Sequence, residues 1–131
     1  MENASIASMQ DFLEISFKEI SNDKVIATMP VSHRTCQVNG FLNGGASLAL
    51  CEICAGTGSL HFLKNSKEMA LGIQVSANHL KTAYLNELVT CIATPIKLGK
   101  TLHIWEAIIK NDKDEYICKA TVTNMVVAKT K

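Results

Sequence analysis

Polar and apolar residues alternate from Leu13 to Pro30 on both sides of the stretch Ser21-Asn22-Asp23-Lys24. A period of two predicts strands and the polar stretch a turn, so the segment reads as a β-hairpin whose second strand closes at Pro30. Upstream, Ile6, Met9 and Leu13 recur at helical spacing and predict a short amphipathic helix. The stretch VSHRTCQVNGFLNGG after the hairpin holds no sustained period and reads as a long loop, of the kind that carries function in compact domains. From Ala46 to about Leu63 the chain is nearly all apolar, with polar interruptions at Ser47, Glu52, Thr57, Ser59 and His61, which predicts a helix buried on most sides. The remainder is rich in β-branched residues: MALGIQVSANHLK, ELVTCIATPIKLG, TLHIWEAIIKN and EYICKATVTNMVVA, parted by turn signals at YLNE, LGK and NDKDE. These predict a four-strand meander with antiparallel neighbours. One long helix must then cover six strands, so an α+β fold follows, with a curved antiparallel six-stranded sheet wrapped around a central helix. The sheet edges and outer face favour a partner subunit.

Length and composition narrow the picture. The 131 residues suit a single domain spanning 1–131, and 47% hydrophobic residues exclude a disordered chain. With 13 basic against 12 acidic residues the formal net charge is +1, too little to gather nucleic acid or an anionic membrane, so any anion site must be local. No run of about 18 apolar residues occurs and the start lacks a basic segment followed by an apolar one, so no membrane association and a cytoplasmic location are expected. Five cysteines, an odd number in apolar stretches, predict free thiols in a reducing compartment. Cys51 and Cys54 have Cys-x-x-Cys spacing, but no second ligand pair accompanies them, so core packing is the expectation over a metal or redox site. His33, His61 and His103 stand isolated, and no metal is expected. TPIKLGKT lacks the first glycine of a phosphate-binding loop and precedes a strand, GGAS does not supply a serine-hydrolase elbow, and Trp105 is read as core or interface.

Two features carry candidate chemistry. Asn43, Gly44 and Gly45 open the predicted helix, where backbone N–H groups lack intrahelical partners and the helix dipole is positive, a setting for an oxygen acquiring negative charge. The same residues equally suit a plain helix start, with Asn43 as N-cap and the glycines as a turn. Seven residues after Gly45, on the same helical face and about 10 Å along the axis, stands Glu52, the one carboxylate in an apolar helix. Burial would raise its pKa, which suits a general base or a nucleophile. A Glu paired with a lysine or exposed at a helix bend is the alternative.

GFLNGGASLALCEICAGTGS followed by LGIQVSANHLKTA resembles the hotdog-fold acyl-CoA thioesterases of the PaaI-like group, in particular the branch acting on 4-hydroxybenzoyl-CoA and 1,4-dihydroxy-2-naphthoyl-CoA. In that branch a Gln, then G-x-x-H-G-G, then a Glu form the site; the matching positions here are Gln37, Gly40, Asn43, Gly44, Gly45 and Glu52. The resemblance implies a hotdog fold, a dimer or dimer of dimers with active sites at the subunit interface, and hydrolysis of an acyl-CoA, aryl-CoA favoured, with no cofactor beyond the CoA of the substrate. It implies that the N–H of Gly44 or Gly45 polarises the thioester carbonyl, that Gln37 positions the acyl group, and that Glu52 attacks or activates water. It further implies CoA contacts at Asn78, His79 and Lys81; Lys100, in the LGKT turn, is a further candidate for the nucleotide phosphates, against a reading of both lysines as solvated strand ends. Two positions depart from the pattern: Asn43 replaces a His and cannot carry a proton, and Gly56 stands where a Ser or Thr often lies one turn beyond the carboxylate. A noncatalytic acyl-CoA binding protein of the same fold is the alternative these departures leave.

Overall fold

The computed structural model describes residues 8–129. In chain order the elements are α1 (Met9–Phe12), β1 (Ser16–Ile20), β2 (Val25–Pro30), α2 (Gly44–Phe62), β3 (Glu68–His79), β4 (Leu88–Leu98), β5 (Leu102–Lys110) and β6 (Tyr116–Ala128). The predicted short helix is the single turn α1, capped by Ser8, whose Oγ accepts the Asp11 N–H at 3.1 Å; Ile6 lies outside the described residues. The hairpin forms as predicted, with Ser21 Oγ accepting the Asp23 and Lys24 N–H groups in the turn.

All six strands join one antiparallel sheet in the order β1-β2-β4-β5-β6-β3. The predicted four-strand meander is therefore corrected. β4, β5 and β6 are successive hairpins, but β3 lies beyond β6 at the sheet edge and β4 pairs with β2. The reason lies in residues 80–87, which turn away from β3 and cross the start of α2. There Ala83 accepts the Leu42 N–H at 2.9 Å, Tyr84 bridges Phe41, and Glu87 accepts the Val31 N–H at 2.8 Å. These loop-to-loop bonds satisfy backbone groups that a β3–β4 hairpin would have paired, and they deliver β4 to the far side of the helix.

α2 starts at Gly44, two residues before the expected Ala46, because Asn43 takes the cap position with extended backbone at φ −71° and ψ 133°. Its buried face comprises Ala46, Ser47, Leu50, Cys51, Cys54, Ala55, Gly58 and Ser59, while Glu52, Leu60 and Phe62 stay exposed, so in the single chain the helix is covered on one side only. The sheet floor beneath it is made of small residues. Val25, Ala93, Ala107, Ala120 and Ala77 stand side by side across β2, β4, β5, β6 and β3, and short side chains in such a row allow the helix backbone to approach. One row further, the fully buried indole of Trp105 occupies the volume a Cβ on Gly58 would need. Trp105 is thus core rather than interface. Cys51, Cys54, Cys91 and Cys118 are fully buried in the same core; hydrogen bonding to Cys51, together with burial, holds the Cys91 and Cys118 thiols above their ordinary pKa, so they pack as neutral groups. Among the described residues no helix is long and apolar enough to cross a membrane.

Replacing Gly58 by Ala forces its methyl into the Trp105 ring, and interior overpacking of this kind costs about 1–3 kcal/mol. Urea unfolding of Gly58→Ala is expected to show a lower midpoint with an unchanged m-value; an unchanged midpoint would show that helix and sheet are not in close contact at this point.

Candidate active site

The loop before α2 is held in place by its own backbone. Thr35 O accepts the Asn43 N–H at 2.8 Å, Thr35 Oγ1 donates to Pro30 O at 3.0 Å, and Cys36 bridges Leu42. Its outer turn is closed by Gly40 N–H to Gln37 O at 3.0 Å and Gln37 N–H to Phe41 O at 2.8 Å. Gly40 sits at φ +85°, a left-handed conformation in which a side chain would be strained. The turn carries Gln37 into a cleft of about 360 Å³ beside the start of α2, shared with Phe41, Gly44, Ser47, His79 and Lys81.

At the helix start the two readings of the glycine turn divide between neighbouring residues. Asn43 Oδ1 accepts the Gly45 N–H at 2.7 Å, and the Ala46 and Ser47 N–H groups donate to Asn43 O at 3.0 and 3.2 Å. Gly45 is therefore corrected: its amide is occupied by the cap and is not free for an oxyanion, and Asn43 is a structural cap. The Gly44 N–H finds no acceptor among the described residues. Gly44 is also where the imidazole of His79 packs, since a Cβ there would lie 3.0 Å from His79 Nε2.

Of the residues proposed for CoA, His79 and Lys81 line this cleft, Lys81 in an exposed 3.8 Å ion pair with Glu115, and Asn78 and Lys100 do not. Strand residues alternate between faces: His79 pairs with buried Cys118, whereas Asn78 pairs with exposed Lys119 on the outer face. Lys100 lies in the β4–β5 turn, two residues before Leu102, which is paired through Met125 to Leu71 at the other end of β3 from His79. Within one chain the length of the sheet separates it from the cleft.

Glu52 occupies a second groove, of about 330 Å³, together with Met9, Ala49, Ile53, Gly56, Gly72 and Asn124. In the single chain Glu52 is exposed, on the flank of α2 that meets β3, so burial of its carboxylate would have to come from a second subunit. The carboxylate rests on the bare backbone of Gly72, where a Cβ would come within 2.5 Å of Oε2. β3 bulges between Gly72 and Gln74, a distortion common beside active sites.

Beneath this groove runs a polar network absent from the sequence reading. His103, Asn124 and Gly72 stand side by side across β5, β6 and β3. Ser59 Oγ accepts from Trp105 Nε1 at 2.9 Å and from Asn124 Nδ2 at 3.0 Å, which leaves its own hydrogen for His103 Nδ1 at 2.8 Å. That arrangement makes Nδ1 an acceptor and fixes His103 as the neutral Nε2–H tautomer. Burial holds its pKa below 6.5. Asn124 Oδ1 and His103 Nε2 are buried without a partner among the described residues. The signal available in the sequence was an Asn at an inward position of a β-branched strand, two residues beyond Val122, and a Ser one turn after Ala55; neither falls into a motif.

A six-stranded antiparallel sheet wrapped on one long helix, with a cleft at the helix start and a carboxylate groove further along it, defines a hotdog thioesterase. The chain belongs to the thioesterase superfamily, whose family model matches residues 39–118, and it is a thioester hydrolase. It is 32% identical over 120 residues to the 1,4-dihydroxy-2-naphthoyl-CoA hydrolase of Escherichia coli strain K12, covering 92% of this chain and 87% of that one. A mutant of thioesterase PA1618 from Pseudomonas aeruginosa superposes with a TM-score of 0.89 at 34% identity, covering 93% of this chain and 87% of that one. Thioesterase HI1161 from Haemophilus influenzae gives 0.86 at 34% identity, covering 95% and 85%.

The neutral His103 gives the stability a pH dependence of definite sign. Its folded pKa lies below the unfolded value, so the unfolded chain takes up the proton first as pH falls, and the contribution present above pH 6.5 is lost progressively below it. Unfolding free energies measured by urea from pH 8 to about pH 5 should decline in the wild type, and more shallowly in His103→Gln; parallel curves would refute the assignment.

Proposed function

We propose that the protein hydrolyses an acyl-CoA thioester to the free acid and CoA at a site completed by a second copy of the chain. The carrying observation is the separation of the two halves of the chemistry. The free Gly44 amide shares one cleft with Gln37, His79 and Lys81, and Glu52 lies in another, eight residues and about 12 Å further along α2. An attacking group must come within about 3–3.5 Å of the carbonyl carbon, whose oxygen sits at the amide. The Glu52 carboxylate of the same chain, resting on Gly72, is out of reach, whereas Glu52 of the partner subunit can meet the cleft across an interface.

The exposed flank of α2 and the unpaired edge of β3 support such an interface. β3 runs for 12 residues, is paired on one side only among the described residues, and carries exposed Leu71 and Ile73; long apolar edges of this kind are normally covered. In the proposed site the Gly44 N–H donates to the thioester oxygen as it gains charge, and Gln37 orients the acyl group. Glu52 takes a proton from water, water adds to the carbonyl carbon, and the carbon–sulfur bond breaks as that proton passes to the departing thiolate. Lys81 and His79 stand at the cleft for the CoA phosphates; the exposed pair of Lys81 with Glu115 is weak and readily exchanged for a phosphate. Phe41, backed edge-on by Tyr84 at 5.5 Å, offers an aromatic wall, which with the substrate named for the Escherichia coli relative supports an aryl-CoA. Nothing beyond the substrate's own CoA is required. Cys36, Cys51, Cys54, Cys91 and Cys118 are all free thiols, consistent with a cytoplasmic enzyme.

Glu52→Gln should lower thiol release from an aryl-CoA by about 10²–10⁴-fold while leaving binding of the thioester within a few-fold, as general-base loss does. Equal turnover would reject Glu52 as the catalytic group, and binding without turnover in the wild type would make the protein a noncatalytic acyl-CoA binder. Sedimentation equilibrium should give a mass at least twice that of one chain; a monomer with full activity would reject the shared site.

A further inference from the structure

We propose that Asn124 is a second catalytic residue, whose side-chain oxygen and the Glu52 carboxylate hold between them the water that attacks the thioester. The inference rests on Glu52 as general base and adds the group that places its water.

Asn124 is 1% exposed, yet its Oδ1 has no donor among the described residues, and an unpaired buried acceptor is costly. The amide cannot relieve this by turning over. Its Nδ2 donates to Ser59 Oγ at 3.0 Å and to Ala55 O at 3.3 Å, and Ser59 has already given its hydrogen to His103. A reversed amide would set Oδ1 against the Ala55 carbonyl. The network therefore keeps the oxygen directed away from the helix axis, toward the groove that Asn124 shares with Glu52.

Gly72, the cross-strand neighbour of Asn124, locates the two oxygens relative to each other. The Cβ position that Gly72 leaves vacant is 2.5 Å from Glu52 Oε2 and 3.5 Å from Asn124 Oδ1, so the oxygens are no more than about 6 Å apart, close enough for one water to hydrogen-bond to both. Both groups only accept. A water between them gives one hydrogen to each, and its lone pair is left for the carbonyl carbon. As the carbon–oxygen bond forms, Glu52 receives one proton and Asn124 retains its bond to the other hydrogen; the carbon–sulfur bond then breaks and Glu52 returns its proton to the sulfur. Gly56 faces the same groove with nothing within 4 Å of a Cβ, so no hydroxyl from that turn of the helix competes for the water.

The test is a kinetic cycle on the full-length protein with an aryl-CoA, read by thiol release. Asn124→Ala should lower kcat about 10- to 100-fold, the loss of one hydrogen bond to a reacting group, with KM within about twofold. In the Glu52→Gln background the same change should cost nothing further, because the two groups serve one water. Gly72→Ala would place a methyl 2.5 Å from Glu52 Oε2 and 3.5 Å from Asn124 Oδ1, so it moves the base as well as filling the water's place; it should lower kcat at least as much as Asn124→Ala, and it carries the test where Asn124→Ala does not fold. Wild-type kcat in a folded Asn124→Ala or in Gly72→Ala overturns the inference, as does a full additive loss on top of Glu52→Gln. Those outcomes leave Glu52 as the base if Glu52→Gln is inactive, whereas an active Glu52→Gln removes the base itself.

Discussion

The close approach of α2 to the sheet is the constraint from which the rest of the molecule follows. It depends on two things: a row of alanines crossing the strands, and the absence of a side chain at Gly58, whose place the Trp105 indole takes. At that distance the helix cannot bury a polar group without pairing it, and Ser59 resolves the problem by accepting from Trp105 and Asn124 while donating to His103. One hydroxyl thus bonds three side chains from two strands and locks the helix rotation against the sheet. With the rotation set, Glu52 lies over Gly72 at the β3 edge and Gly44 faces the cleft.

Because α2 is a rigid rod of 19 residues, the spacing between its first amide and its carboxylate is not adjustable. The two cannot converge on one carbonyl within a chain, which is why the proposed site takes its carboxylate from a second copy. The exposed helix flank and the edge of β3, which is paired on one side only among the described residues, are the surfaces on which a second copy would complete that proposed site. The same rod explains the division of labour at its start. Asn43 uses its side-chain oxygen to satisfy Gly45, so the positive end of the helix presents Gly44 as its open donor.

Much of this was legible from residue order. Alternation across SNDK gave both strands of the hairpin, the apolar run gave α2, and the resemblance carried by the glycine turn and Glu52 gave the fold and the superfamily. The strand order was not legible, because residues 80–87 look like an ordinary turn until their bonds to Val31, Phe41 and Leu42 are seen. Where Asn78 and Lys100 lie was illegible for a related reason: a motif records neighbours along the chain, whereas pleating puts Asn78 on the outer face and the sheet's length separates Lys100 from the cleft of its own chain.

By itself the sequence determined which segments are strand or helix, that one helix must be covered by six strands, and that a donor-rich turn and a carboxylate sit on that helix, since each follows from local periodicity and spacing. Tertiary structure alone decided which amide is free, which residues surround Glu52, and that Asn124 reaches the same groove, since these depend on contacts between residues as far apart as Ser59 and Asn124, 65 positions along the chain. Packing of the helix on the alanine row brings them together, and no local pattern encodes that distance.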